Sequence, residues 1–556
     1  MRIRTLFLSM VAGLAFVGCS SEEDITSGTD NGNNGEPQFL TVSVNATSTL
    51  TRATTLEGDY EEGEGEENTV SKVRFYFFDA DGNAAQVKGE NGGTYYDVDS
   101  PAGTEDAMPN VEKILMATLV IQTPEKDKVP TSIVAVVNPK SDLGAVESIS
   151  KLNEVIADHS STTSFIMSNS VYANGTTKME AVNVAGHLYS TAEAAKADPV
   201  IIHVERVLAK ARLTVGLAAN ENGVYKTSAD GSQEYNGDEI YVKFLGWNVT
   251  TTAKTSRLMK EINPSWSADL FSSTLLWNTA DYYRSFWAVN PIMNYNYGPF
   301  NTENDAAAAN AITAFDAGTE GSPKTNYTYL QENASDDYTN GTDPTKPSQV
   351  IIAAQLVKAD GTTPIEFAEY AGEKTTIDGL IAKYAAASGL WKDNVGGTGK
   401  VGIEVGDIEL KTATVAGEAD ENTSGRYKVY AQLTTDAAKK TWYTSSSDDA
   451  KAVDANNVLE NLGGAKVWKN GYTYYYFDIR HLNGSSTTAN AKGKKGVVRN
   501  HIYAANIKTL TGLGTPVYDP EEVIYPEEPE DDDTFIAAEI RILSWRLVKQ
   551  DIDLKW

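Results

Sequence analysis

The sequence predicts a mainly β protein: sandwiches carrying long insertions and a few short helices. Three observations predict it. Strand-period apolar patterns recur along most of the chain, clusters of Asp, Asn, Gly and Thr separate them, and long helical periodicities are scarce. The 556 residues suffice for about two to four domains with a large core. Hydrophobic residues at 41% and aromatics at 9% argue against wholesale disorder. With 47 basic against 76 acidic side chains the net charge is −29, which repels phosphate backbones and makes nucleic acid a poor partner. One cysteine removes disulfide scaffolds, cysteine-based zinc sites and CxxC redox motifs together.

The elements follow in order. Met1-Arg2-Ile3-Arg4 and the apolar run to Val17 form a secretory signal, too short to span a bilayer as a helix. Gly18-Cys19 closes it and resembles a bacterial lipobox, with Phe16 where Leu is commoner; the alternative is an ordinary signal with an incidental cysteine. Acyl chains on Cys19 would anchor the chain by burying methylenes. Ser20-Ser21-Glu22-Glu23-Asp24 is similar to the acidic tag that sends Bacteroidetes lipoproteins to the outer surface. Residues 20–38 offer almost nothing to bury and read as a tether. In 39–46, Leu40, Val42, Val44 and Ala46 share one face of a half-buried strand. Arg52 is the only basic residue between Arg4 and Lys72, in a polar, small-residue stretch; it is either an exposed protease target or a plain surface arginine.

Val73, Phe75 and Phe77 alternate with Arg74, Tyr76 and Phe78, and Asp79-Ala80-Asp81-Gly82-Asn83 closes that strand as a turn lacking the ligand spacing of a calcium loop. Residues 114–121 and 133–137 are near-continuous apolar strands of a sandwich core. Helices are expected at 149–159, 305–315 and 377–391, with a buried segment at 165–167. Strand patterns at 200–206 and 209–215 abut, which places a domain boundary near Glu205. Further strands fall at 240–247 and 426–433. Tyr472–Ile479 is an aromatic strand, suited to packing inside a sheet or, less simply, to stacking sugars.

The final segment differs from what precedes it. Residues 526–533 combine two prolines with six acidic residues and stay extended and solvated. Ile536, Ala538, Ile540 and Ile542 then alternate, Trp545 and Leu547 follow on the other parity, and Ile552, Leu554 and Trp556 alternate again. An apolar stripe beyond a flexible hinge must be covered, either by its own domain or by something else.

Catalytic signatures are missing. His159, His187, His203, His481 and His501 are scattered, and there is no GxSxG elbow, Walker loop or dinucleotide fingerprint. Residues 394–400 come nearest a Walker loop, but Asn394 replaces its first glycine and Val401 its Ser/Thr. Acidic pairs for hydrolysis have no positional support. The expectation is no enzyme, no catalytic residues, no cofactor and no metal.

Several strings carry a family resemblance: the lipobox at Cys19, Ile133-Val134-Ala135-Val136-Val137-Asn138-Pro139, Phe165-Ile166-Met167-Ser168-Asn169, residues 204–210, Val498-Arg499-Asn500-His501-Ile502-Tyr503 and Thr511-Gly512-Leu513-Gly514-Thr515-Pro516. In this order they resemble the Bacteroidetes fimbrillin family, nearest its shaft subunits of the minor (short) fimbriae. The resemblance implies two transthyretin-like β-sandwich domains, lipoprotein export, and polymerisation triggered by an arginine-specific protease. It divides the chain into a signal with lipobox (1–19), a propeptide with a leaving strand (20–52), an N-terminal sandwich (53–204), a C-terminal sandwich (205–525) and a hinge with a donor-strand arm (526–556). It casts Cys19 as the lipidation site, Arg52 and Ala53 as the cleaved pair, and Leu40, Val42, Val44 and Ala46 as the leaving strand. Ile536, Ala538, Ile540, Ile542, Trp545 and Leu547 become the donor strand that replaces it. The implied partners are copies of the chain itself, anchor and tip subunits, the protease, the outer membrane through the lipid, and host or bacterial surface receptors. The rival readings are a tip or anchor adhesin and a surface glycan-binding lipoprotein.

Overall fold

The computed structural model describes residues 38–47, 63–87, 93–101, 103–104, 111–121, 129–174, 177–227, 233–250, 252–262, 295–296, 313–314, 327–332, 348–412, 427–479, 497–520 and 546–554. Everything below concerns these residues. They form a mainly β structure with three large cores and a further buried cluster between the two halves.

The N-terminal half is one twisted sheet. Its strands are β1 (Gln38–Thr47), β2 (Lys72–Phe78), β3 (Tyr95–Asp99), β4 (Gly103–Thr104), β5 (Val111–Ile121), β6 (Ser132–Val137), β7 (Met167–Asn169) and β8 (Val200–Arg206). Their spatial order is β3-β2-β6-β7-β8-β1-β5-β4. Val73, Phe75 and Phe77 from one side and Leu115 and Leu119 from the other join a single core with Leu40, Val42 and Val44, so the sheet curls over on itself. The opposite face of β2 and β6 is buried too: Tyr76, Phe78, Val134 and Val136 pack on Leu258, Met259, Ile262 and Val498 of the second half. Both faces of β2 are covered, and its sequence is accordingly apolar on both parities after Arg74, which pairs with Asp97.

The second half is a two-sheet sandwich. One sheet holds β9 (Leu208–Val215), β11 (Tyr327–Gln331), β14 (His501–Leu510) and β16 (Arg546–Leu554) in the order β11-β9-β14-β16. The other holds β10 (Tyr241–Thr250), β12 (Gln349–Val357), β13 (Tyr472–Asp478) and β15 (Thr515–Pro516), with Tyr225–Lys226 beyond β10. Ala209, Ala211 and Leu213 from β9 meet Val242, Trp247, Ile352 and Tyr475 between the sheets. Only Val207 separates β8 from β9, so one nearly continuous line of backbone runs through both halves.

Between β12 and β13 the chain builds a further lobe. Helix Ile377–Ser388 and strands Phe367–Tyr370, Ile408–Thr412, Lys428–Leu433 and Ala465–Trp468 enclose their own core around Leu380, Tyr384 and Leu459. The sequence suggests insertions here; the described part of this one is a folded unit.

Two helical expectations change. The helix expected at 149–159 ends at Asn153, because β-branched Ile156 enters a short strand, Ile156–Ala157, paired with Ser256–Arg257. Of 305–315 only Thr313–Ala314 is described, and it is strand, paired with Gly246 and Trp247 of β10. The third helix runs Ile377–Ser388 and stops on Gly389 in the left-handed conformation (φ 61°), where glycine carries no Cβ penalty.

Candidate functional site

The strand expected to leave, β1, lies inside its sheet. Val42 to Ala46 run parallel to Val200 to Val204 of β8, and Gln38 to Thr47 run antiparallel to β5. Leu40 and Val42 are fully buried and Val44 is 1% exposed. Its other face is closed as well: Thr41 and Ser43 are buried, and the Thr41 and Thr118 hydroxyls bond across the strands at 3.0 Å. Phe39 and Tyr189 exchange backbone hydrogen bonds, the Phe39 amide donating at 2.6 Å and the Tyr189 amide at 2.9 Å. Since β5 has only the two-residue β4 on its far side, losing β1 would divide the sheet rather than trim it.

Residues from Gly63 onward enter a polar clamp. The Glu67 carboxylate is buried; it accepts from the Lys210 ammonium at 2.8 Å, from the Tyr329 hydroxyl and from the Glu64 amide at 2.9 Å. Burial pushes this carboxyl upward, but Lys210, Tyr329 and the Glu64 amide together outweigh it and hold the group below the usual range. The Arg206 guanidinium donates to the Glu67 carbonyl at 3.0 Å, to Asn500 Oδ1 at 3.1 Å and to Asn68. Asn138, in the left-handed region at φ 50°, donates to the Thr69 carbonyl at 2.8 Å and accepts from the Ser71 amide at 2.9 Å. Residues 63–71 are thus tied to both halves.

A second buried cluster joins the halves. Arg499 donates to the Glu332 carboxylate at 2.7 and 2.9 Å, to the carbonyls of Leu258 (2.8 Å) and Arg257 (2.7 Å), and to Ser168 Oγ at 3.3 Å. Beside it Lys260 and Glu205 meet at 2.7 Å. Burial pushes the Glu205 carboxyl up and the Lys260 ammonium down, each opposed by the other's charge. His159 sits against the same cluster, its amide donating to Gln331 at 3.0 Å; burial first, then Arg499 and Lys140, lowers its imidazole to about 4.

At the other end of the chain, β16 pairs in parallel with β14, from His501 opposite Arg546 to Leu510 opposite Leu554. It terminates its sheet with one described neighbour. Leu547 therefore lies on a strand seated at the edge of this chain's own sandwich. Cys19, Arg52, Ala53, Ile536, Ala538, Ile540, Ile542 and Trp545 fall outside the described residues; Ala46 is described through its backbone pairing with Val204 and Lys113. The aromatic strand β13 is an inner strand, with Tyr475 fully buried and Tyr474 and Tyr476 at 5% and 7% exposure, which leaves no open platform for sugar stacking. The charged clusters escape sequence reading, although Arg206, Lys210 and Arg499 inside apolar runs are their visible trace. Among the described residues no three His, Cys, Asp or Glu side chains gather as a metal site, and no helix is long and apolar enough to cross a membrane.

Residues 466–551, from the lobe's last strand into β16, match the family model described as major fimbrial subunit protein type IV, fimbrillin, C-terminal. This supports a fimbrillin assignment. Among solved structures, the fimbrillin-like chain resembles a candidate cell adhesion protein from Parabacteroides distasonis ATCC 8503 at 17% identity and TM-score 0.33, over 57% of this chain and 75% of that one. It also resembles a fimbrial assembly protein from the same strain (14% identity, TM-score 0.27, 58% and 88% covered). A third likeness is to the tip fimbrial protein Mfa3 from Porphyromonas gingivalis (10% identity, TM-score 0.29, 58% and 81% covered). At TM-scores below 0.5 these likenesses carry no argument of their own. No curated protein matches the chain. A fimbrial subunit is the assignment this family match supports.

Proposed function

We propose that the chain is a structural subunit of a fimbrial shaft, exported as a lipoprotein through Cys19 and matured by an arginine-specific protease that cuts between Arg52 and Ala53. Its arm then replaces the leaving strand of a neighbouring copy. The observation that carries this reading is the seat of β1: a strand enclosed on both edges, with Leu40, Val42 and Val44 in the core, joined to the rest of the chain through the segment that contains Arg52. Vacated, that seat exposes two sheet edges and an apolar trough, which strand addition from a second copy can cover.

Register favours the arm as the replacement. With Ile536, Ala538, Ile540 and Ile542 in the places of Leu40, Val42, Val44 and Ala46, Ile542 stands level with Val204 and Arg546 level with Leu208. In this chain Arg546 pairs with His501, whose successor Ile502 pairs with Lys210, which sets Arg546 level with Ala209. The two placements agree within one residue along the strand direction, with β14 standing between β16 and β9. Head-to-tail donation does not close on itself and yields a filament. Loss of residues 1–52 leaves 44 basic and 71 acidic residues, a net charge of −27 that opposes bundling at low salt.

Arg52→Ala should leave folding intact and abolish fibres on electron micrographs, and normal fibres from that variant would refute the maturation scheme. Truncation before Thr534 should give folded, cleavable subunits that fail to propagate; unaffected polymers would refute the donor assignment.

A further inference from the structure

We infer that cutting the chain between β1 and β2 produces a nicked subunit that keeps β1, and that only an incoming strand removes it. This rests on the proposed maturation and adds the order of its steps: the cut permits exchange, and strand displacement performs it.

Both flanks of the cut are anchored independently of the link between them. On the upstream side β1 is hydrogen-bonded along two edges, parallel to β8 and antiparallel to β5, with Phe39 further tied to Tyr189. Leu40, Val42 and Val44 belong to the core shared by β2, β5, β6 and β8, so a departing β1 opens that core and parts β5 from β8 in one event. A strand in that position has no cheap route out, unlike a strand at a sheet edge. On the downstream side the clamp holds residues 63–71 through Glu67 to Lys210 and Tyr329, through Arg206 to the Glu67 carbonyl and Asn500, and through Asn138. Four of those holders, Arg206, Lys210, Tyr329 and Asn500, lie at or beyond the junction of the halves. Fraying from the new amino terminus therefore stops before β2. The partner that can displace β1 is an extended segment with apolar side chains at alternate positions, entering parallel to β8, because that is the direction and periodicity the seat presents.

The test uses the chain from Ser20 to Trp556, nicked by an arginine-specific protease, and in parallel a version with a foreign protease site inserted between residues 48 and 62. Each is passed through size exclusion in native buffer, and the monomer peak is analysed by denaturing mass spectrometry. The expected result is the fragment carrying β1 at one copy per body, with residues 63–71 as protected from hydrogen exchange as in the uncut chain. A synthetic peptide of residues 534–556 should then release the fragment at a rate proportional to peptide concentration. A folded monomer peak that has lost the fragment without peptide overturns the inference. Retention at the foreign site when Arg52 resists cutting supports it while overturning the proposed maturation. Glu67→Gln should leave the uncut protein folded and raise exchange at 63–71 at least tenfold after nicking; unchanged protection in that variant overturns the role given to the clamp.

Discussion

Two strands near opposite ends of the chain each run parallel to a neighbour, yet they are held in different ways. β1 lies between β8 and β5, with Leu40, Val42 and Val44 at most 1% exposed, whereas β16 closes its sheet against β14 alone. Backbone pairing of the same kind thus makes one strand integral to its domain and the other a rim. The difference teaches where exchange is costly. A rim strand can be lifted while its domain stays closed, but an interior strand can be surrendered only to a replacement. In the proposed exchange, the strand given is the loosely held one and the strand received enters the tightly held place.

Deleting each strand in turn is the most severe way to break this comparison. A chain beginning at Ala53 forfeits the burial of Leu40, Val42 and Val44, roughly 5–9 kcal/mol gross, comparable with the whole stability of a domain. Its N-terminal half should lose cooperative melting by calorimetry and regain it when a peptide of residues 38–47 is added. A chain ending at Ser544 should keep its cooperative transitions, and equal damage from the two deletions would erase the distinction.

The buried charges between the halves come next. Arg499→Met removes the guanidinium that pairs with the buried Glu332 and should cost about 3–5 kcal/mol in urea unfolding. Lys151→Ala, which opens an exposed pair with Glu154, should leave the urea midpoint unchanged. Acid sharpens the same point. His159 is lowered to about 4 by burial, so the native state stays unprotonated while the unfolded chain takes a proton below about 6.5. Stability from this group is complete above pH 6.5 and drains away as pH falls toward 4, by up to about 3 kcal/mol. His159→Gln should flatten the stability curve over that interval, ahead of the loss from Glu67, whose lowered carboxyl gives up its contribution only as pH falls below its ordinary 4.5. A modest effect concerns the second face of β1: Thr41→Val removes the hydroxyl bond to Thr118 and should cost about 1 kcal/mol without freeing the strand.

Much of the fold is legible in the sequence because strands write their period locally. The alternation of Leu40, Val42 and Val44 and that of Val73 to Phe78 each mark a strand from neighbours alone, although β1, expected to be half-buried, also buries Thr41 and Ser43. What is not legible depends on partners far along the chain. Nothing around Glu67 announces Lys210 or Tyr329, and nothing around Arg499 announces Glu332 or Leu258, because such pairs exist only once the halves meet. The interior position of β1 is hidden for the same reason: its pattern fits an edge strand equally well, and only the later β8 encloses it. The helix that stops at Asn153 fails locally for a distant cause, since Ser256–Arg257 claims Ile156–Ala157 as a strand. In the lobe between β12 and β13 the helix after Ile377 and the strand near 426–433 are legible, but that Leu380, Tyr384 and Leu459 close a core of their own is not.

The most direct test of strand sharing traps it covalently. Val44 lies opposite Leu115 in the sheet, so in an acceptor Ile540 of the donor should lie there instead. A chain carrying Cys19→Ser, Leu115→Cys and Ile540→Cys, cleaved and mildly oxidised, should give a ladder of disulfide-linked multimers on a non-reducing gel that collapses to monomer on reduction. Cleaved, assembled protein that shows only monomer on the same gel would contradict the account.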